Sequence, residues 1–205
     1  MDMNTEFIDA LASSAPTPGG GGASAYVGAL ASACASMVGE LTLGKKRYAD
    51  VEPEVKESLV RLKELRERLL ELVDADAEAF EPLSAAYRMP KDTPEQKAAK
   101  HEAEQAALVP AIEVPIEIMQ NVSEVVGIIE FMSENGSRMA LSDAGVAAAF
   151  ARAASDGASL NIYINAKSMD DQEAAERYRE QANILFSETR IHCDAIFDYV
   201  KGAVS

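Results

Sequence analysis

Apolar residues recur along this chain at intervals of three and four, the spacing of amphipathic helices, and only one short stretch alternates. Leu59, Leu62, Leu65, Leu69, Leu72 and Val73 form the clearest stripe. They follow Pro53, which suits a first helical turn, and predict a helix running towards Met89 and bent at Pro82, where an amide is missing. Met89-Pro90-Lys91-Asp92 reads as a loop. Thr93-Pro94-Glu95-Gln96 has the form of a capping box with proline at the first helical position, opening a helix towards Glu134 that Pro110 and Pro115 should kink or split. Upstream, Asn4 or Thr5 can cap a short helix with Phe7, Ile8 and Leu11 on one face, ended by Ser13-Ser14-Ala15-Pro16. A loop follows, Thr17-Pro18-Gly19-Gly20-Gly21-Gly22. From Ala23 the pattern predicts a helix rich in small residues, with Gly44 as its C′ residue, and such a helix lets neighbouring backbones come close.

Ser142-Asp143-Ala144-Gly145 reads as the cap of a second small-residue helix, Ala147 to Ala158. The alternating stretch Leu160-Asn161-Ile162-Tyr163-Ile164-Asn165 permits a strand, but no partner strand is in sight, so the helix is expected to continue through it. Asp170 or Asp171 can cap a last helix, with Leu185, Ile191, Ile196, Phe197 and Val200 as apolar positions, ending near Gly202. The expected fold is all-α. One unit over residues 1–205 is expected, because no repeat, low-complexity tract or linker marks a second domain.

Charge narrows the function. With 34 acidic against 19 basic residues the formal net charge is −15. That field repels phosphate backbones and anionic lipids, which disfavours nucleic-acid and membrane-surface roles. No uninterrupted apolar run approaches the ~20 residues of a membrane span. The start, Met1-Asp2-Met3-Asn4-Thr5-Glu6, lacks the features of a secretion signal, so a soluble, cytoplasmic protein is expected. Cys34 and Cys193 lie in helical segments without metal-ligand spacing and read as buried thiols. Glu188 with His192 is a single helical pair, too little for a metal-binding helical bundle.

Four features carry candidate chemistry. Laid out at about 100° per residue, the helix after Pro53 places Asp76 in the middle of the sector that holds Leu62, Leu65, Leu69, Leu72, Val73 and Phe80, while Asp74 and Glu78 point elsewhere. Desolvation there would raise the pKa of a carboxylate towards the range useful for proton transfer; a buried aspartate satisfied by an arginine or a helix cap is the alternative. The glycine run, Gly19, Gly20, Gly21 and Gly22, can place amides around an anion or admit a planar ligand, or it is a plain turn. Asn161 and Asn165, at i and i+4, share a helix side and serve either a ligand or an interhelical network. Lys45-Lys46-Arg47 is a basic island in an acidic chain, either a solvated helix end or an anion site.

Read in order, Pro16-Thr17-Pro18-Gly19-Gly20-Gly21, Leu41-Thr42-Leu43-Gly44-Lys45-Lys46-Arg47-Tyr48, Val73-Asp74-Ala75-Asp76-Ala77-Glu78-Ala79-Phe80 and Pro90-Lys91-Asp92-Thr93-Pro94 resemble the formiminotransferase-cyclodeaminase family. Val114-Pro115, Ser142-Asp143-Ala144-Gly145-Val146-Ala147 and Asn161 to Asn165 continue the likeness through nearly the whole chain. It is to the cyclodeaminase domain and to the free-standing bacterial methenyltetrahydrofolate cyclohydrolases. The resemblance implies an up-and-down helical bundle with long kinked helices and a homodimer with folate bound near the subunit interface. It also implies activity without metal or redox cofactor. By motif position it makes Asp76 the general acid/base and assigns Thr17, Gly19, Gly20, Gly21, Phe80, Asn161 and Asn165 to the pterin end. Ser142 and Asp143 are carried over as substrate contacts, and Lys45 and Lys46 as contacts to a polyglutamate tail. Either cyclodeaminase or cyclohydrolase activity fits, and an inactive folate-binding or protein-interaction helical dimer is the competing reading. Ser137, Met139 and Gly22 depart from the family pattern. Nothing in the 205 residues is left over for the transferase domain of the bifunctional animal enzymes.

Overall fold

The computed structural model describes residues 5–205, so Asn4 and its capping role lie outside the described residues. The described chain forms α1 (Thr5–Leu11), α2 (Gly20–Glu40), α3 (Glu52–Tyr87), α4 (Pro94–Asn135), α5 (Leu141–Ala166) and α6 (Gln172–Val204), with 3-10 turns at Lys46–Tyr48 and Arg138–Ala140. The alternating stretch from Leu160 to Asn165 is helical, as the lack of a partner strand required. Helices α2 to α5 make an antiparallel ring, and α6 lies along α4 and α5. Direction is fixed by the contacts: a side chain on Gly22 would meet Val73 and one on Gly39 would meet Leu59, while Arg61 pairs with Glu124 and Arg68 with Glu117. Leu62, Leu65, Leu69 and Leu72 are buried on the inner face of α3, where their spacing put them.

The capping box forms as read. Thr93 accepts from the Gln96 amide, and the Gln96 side chain accepts from the Thr93 amide. Pro110 and Pro115 do not split α4, which runs for 42 residues. A proline at position 115 leaves the carbonyl of Ala111 without its helical donor. Asn165 of α5 supplies one, its Nδ2 donating to Ala111 O at 2.9 Å. Asn165→Ala should therefore orphan a buried carbonyl and lower stability by about 1–3 kcal/mol in urea unfolding. A cost indistinguishable from zero would mean that α4 satisfies this carbonyl in another way.

Several boundaries differ from the sequence reading, each for a tertiary reason. Helix α2 begins at Gly20 rather than Ala23, which puts Gly20, Gly21 and Gly22 in its first turn. It ends at Glu40 with Leu41 as C-cap, so Gly44 is not its C′ residue but turns the following loop at φ +69°. Helix α5 starts at Leu141, which places Ser142 and Asp143 inside the first turn rather than at the cap. The preceding turn is held from outside: the Ser137 amide donates to Thr42 Oγ1 at 2.8 Å and the Arg138 amide to the Tyr48 hydroxyl at 3.2 Å. Asp171 is the cap of α6, accepting from the Ala174 amide. On that helix Ile196 and Val200 are buried, but Ile191 is 68% exposed and Phe197 is 45% exposed. Helix α1 buries none of its residues; Phe7 stacks at 5.3 Å on Tyr26 of α2. Cys193 is buried and its thiol is pushed up to about 12 by that burial, whereas Cys34 is only half-buried, contrary to expectation. His192 pairs with Glu130 at 3.1 Å instead of Glu188.

Helix α2 carries one charged residue, Glu40, and is long and apolar enough to cross a membrane by length and composition alone. In this fold its inner face packs on α3 and α5.

Candidate active site

The first turn of a helix has amides with no intrahelical acceptor. In α2 the N-cap is Gly19, which has no side chain to accept from them. Asp76 of α3 fills that role across the bundle, its Oδ2 accepting from the Gly22 amide at 2.8 Å. This close approach requires glycine. A Cβ on Gly21 would collide with the Asp76 carboxylate. Asp76 is thus the satisfied, helix-capping aspartate of the structural reading, but only through one oxygen. Among the described residues no hydrogen bond engages Oδ1. Burial pushes the carboxyl above the ordinary aspartate range, and the Gly22 amide, which favours the charged form, offsets part of that rise.

Beside this carboxyl lies a cavity of about 320 Å³ lined from α2, α3, α4 and α5. Of the residues expected at the site, Thr17, Gly19, Gly20, Asp76, Phe80, Asn161 and Asn165 line it, and Gly21 backs the carboxylate from behind. The peptide between Thr17 and Pro18 is cis. Phe80 supplies an apolar wall one helical turn from Asp76. Asn161 donates to the Gly157 carbonyl at 3.2 Å within its own helix. Asn165 is committed to Ala111, so the interhelical reading holds for it while its Oδ1 stays available.

The cavity also has members that the sequence reading passed over: Pro16, Tyr87, Ala111, Ile164 and Ser168. Tyr87 lies on the Asp76 and Phe80 side of α3, eleven residues beyond Asp76, and Ile164 and Ser168 lie on the Asn161 and Asn165 side of the chain. Extending the two helical stripes by another turn or two would have found them. The Ala111 position is visible only through the proline four residues later.

Lys45, Lys46, Ser142 and Asp143 are not brought to this cavity. They sit at the other end of α2, and 21 helical residues at 1.5 Å each put about 30 Å between the two ends. Lys45 Nζ donates to Ser137 Oγ at 3.2 Å, so Ser137, a departure from the family pattern, is a buried packing residue remote from Asp76. Met139 is exposed at that same end. Lys46 and Arg47 lie in the 3-10 turn beyond α2 rather than in its last turn.

Comparison with known proteins gives one consistent answer. Residues 3–184 match the formiminotransferase-cyclodeaminase family. The methenyltetrahydrofolate cyclohydrolase of Methylorubrum extorquens is 42% identical over 97% of this chain and 96% of its own length. Rat formimidoyltransferase-cyclodeaminase is 32% identical over 90% of this chain, which covers only 34% of that longer protein. Among solved structures, formiminotetrahydrofolate cyclodeaminase from Thermotoga maritima superposes with a TM-score of 0.80, at 31% identity over 98% of this chain and 94% of that one. Fold and likeness together define an all-helical enzyme of folate one-carbon chemistry, acting on tetrahydrofolate derivatives. The chain belongs to the formiminotransferase-cyclodeaminase family.

Proposed function

We propose that the chain is a methenyltetrahydrofolate cyclohydrolase whose general acid/base is Asp76, working as a cytosolic homodimer on polyglutamylated folate. The observation that carries this reading is the half-satisfied, desolvated carboxylate of Asp76 facing a cavity lined by Thr17, Phe80, Asn161 and Asn165. Water adds to the carbon that bridges N5 and N10 of the methenyl cation while Asp76 takes a proton from it. The bond from that carbon to N5 then breaks as Asp76 returns a proton to N5. The hydroxyl proton leaves to solvent, giving 10-formyltetrahydrofolate and one net proton. No electrons change hands, so the reaction asks for no redox cofactor, and a raised carboxyl pKa suits a group that both takes and gives a proton. We propose no metal either, since the carbon attacked is already cationic. The two free cysteines fit a reducing compartment, and the net charge of −15 disfavours nucleic-acid and anionic-membrane partners.

The likeness to the Thermotoga protein supports a second reaction in the same cleft, cyclodeamination. There N10 attacks the carbon of the protonated 5-formimino group, Asp76 takes the N10 proton and passes it to the former imino nitrogen, and the bond from that carbon to this nitrogen breaks to release ammonia and leave the methenyl cation. Methenyltetrahydrofolate absorbs in the near ultraviolet and its absorbance reports both reactions. The near full-length cyclohydrolase relative favours hydrolysis, so kcat/KM should be at least ten-fold higher for loss of the methenyl signal than for its appearance from the formimino substrate. The reverse ratio would make the chain a cyclodeaminase, and no turnover of either would end the catalytic reading.

A further inference from the structure

Helices α3 and α5 both run antiparallel to α2, so beyond Asp76 and Asn161 they continue past its first turn and hold the cavity between them. Asp76 lies against that first turn, at the inner end. Tyr87 and Ser168 mark the open end, and eleven residues of α3 separate Asp76 from Tyr87, about 16 Å along the helix axis.

A second groove, of about 210 Å³, runs beside the cavity along the next face of α3. Pro16 and Thr17 border both and form the ridge between them. Glu78 and Glu81 line the groove towards one end, Ser84 and Arg88 towards the other. Arg88 Nη1 donates to the hydroxyl of the buried Ser84 at 3.1 Å, which holds the exposed guanidinium back along its own helix. Among the described residues no carboxylate pairs with Arg88, so its other donors stay uncommitted.

The last carbonyls of a helix form its negative end, which would repel an anion here. Lys100 of α4 neutralises that end: its Nζ donates to Tyr87 O at 2.6 Å and to Ala86 O at 3.2 Å, with Glu104 at 3.5 Å on its other side. The charge of Lys100 is thus spent on the helix end, and that of Arg88 is not. From Arg88 to Lys100 the chain holds four basic residues, Arg88, Lys91, Lys97 and Lys100, against two acidic ones, Asp92 and Glu95, a locally positive segment in a chain of net charge −15.

In a folate the reacting carbon is bonded to N10, N10 to the benzoyl ring, and the glutamates follow from the far side of that ring. With the reacting carbon at Asp76, the pterin can be enclosed, but a charged tail of variable length has to leave through the open end. We infer that the glutamate tail leaves the Asp76 cavity past Tyr87, crosses the Pro16–Thr17 ridge and lies in the adjoining groove with its carboxylates on Arg88, which makes Arg88 the residue that sets the preference for polyglutamylated substrate. The Ser84 turn that holds the guanidinium is eight residues from Asp76, about 12 Å along α3, and the groove lies round the helix from the cavity, so Arg88 meets the second and later glutamates rather than the first. The planar fork of a guanidinium matches a carboxylate with two donors at once.

Tail binding rests on the folate reading above, and KM values for the mono- and triglutamate forms of methenyltetrahydrofolate test the two separately. Wild type should have the lower KM for the triglutamate. Arg88→Gln should raise that KM about five-fold, by an amount that shrinks with salt, and leave the monoglutamate KM and both kcat values within two-fold. Arg88→Lys, which keeps the charge without the fork, should recover part of the loss. Arg190→Gln removes an exposed cation from α6 and should change neither KM. An arginine that only supports the end of α3 would move both substrates alike. Equal rises for the two substrates in Arg88→Gln, an unchanged triglutamate KM, or a rise of the same size in Arg190→Gln each overturn the assignment.

If circular dichroism shows Arg88→Gln unfolded, the wild type decides. Phenylglyoxal modifies exposed arginines, and mass spectrometry should find Arg88 protected by the triglutamate and not by the monoglutamate. Equal protection by both, or protection by neither, overturns the inference. Wild-type turnover of both forms with no preference between them overturns it alone, whereas turnover of neither removes the folate reading and tail binding with it.

Discussion

Asp76→Asn is expected to keep the fold and lose roughly 10²–10⁴-fold in kcat, the usual scale for removing a general acid/base. The asparagine carbonyl can still accept from the Gly22 amide, so the first turn of α2 stays capped, while the group that titrates is gone. Asp74→Asn, two residues away on an exposed position, should stay within about three-fold of wild type, because a charge this screened acts weakly. Stability should move the other way from activity. Burial raises the folded-state pKa of Asp76, so the charged carboxylate opposes folding. Stability from this group is greatest below its unfolded pKa, about 3.9, and falls as pH rises through the folded value. Asp76→Asn does not titrate and should therefore be at least as stable as wild type at pH 7, with the difference closing in acid. A variant clearly less stable at pH 7 but still capped would contradict the desolvation argument. Equal kcat losses in Asp74→Asn and Asp76→Asn would instead remove the catalytic assignment.

Gly21→Ala is the second large effect. The added methyl lands on the Asp76 carboxylate, with no flexible tip to move aside and the Gly22 amide holding the other oxygen in place. Either α2 and α3 part, or the carboxyl rotates off its partner. Overpacking of this kind costs about 1–3 kcal/mol, and a shift of about 1 Å in a proton-transferring group costs on the order of 10²-fold in rate. The control is Gly127→Ala, also a helical glycine but with open space where its Cβ would lie. It should gain about 0.5–1 kcal/mol and leave turnover alone. If Gly21→Ala behaves like Gly127→Ala, the contact between the glycine run and Asp76 does not position the carboxylate.

Much of this architecture was legible because its signals are local. Thr93 and Gln96 sit three residues apart and cap their own helix, and the leucines of α3 repeat within one segment, so spacing alone located them. Asp76 stood out for the same reason, a carboxylate in an apolar sector. The pairing that gives it chemistry was not visible: nothing in either segment shows that the glycine run caps itself on a residue 54 positions later. Ser142 and Asp143 misled because the start of α5 is held by Thr42 and Tyr48 rather than by a side chain of its own, and the helix opens earlier than its best cap residues. Ile191 and Phe197 fit a helical stripe on α6, yet that helix packs mainly along α4 and α5 and leaves them exposed. Lys45 and Lys46 were grouped with Asp76 by resemblance, and the length of α2 separates them. Counting the glycines into the helix would have exposed that distance in the sequence.

The most direct test of the central claim is the pH dependence of kcat/KM for methenyltetrahydrofolate hydrolysis, in wild type and in Asp76→Asn, because kcat/KM reports groups of the free enzyme. Wild-type activity should fall with acid along a limb set by one group that titrates above the ordinary carboxylate range, as burial of Asp76 requires. The residual activity of Asp76→Asn should lack that limb. A wild-type limb at ordinary carboxylate pH, or a raised limb that survives unchanged in Asp76→Asn, would show that Asp76 is not the group that moves the proton.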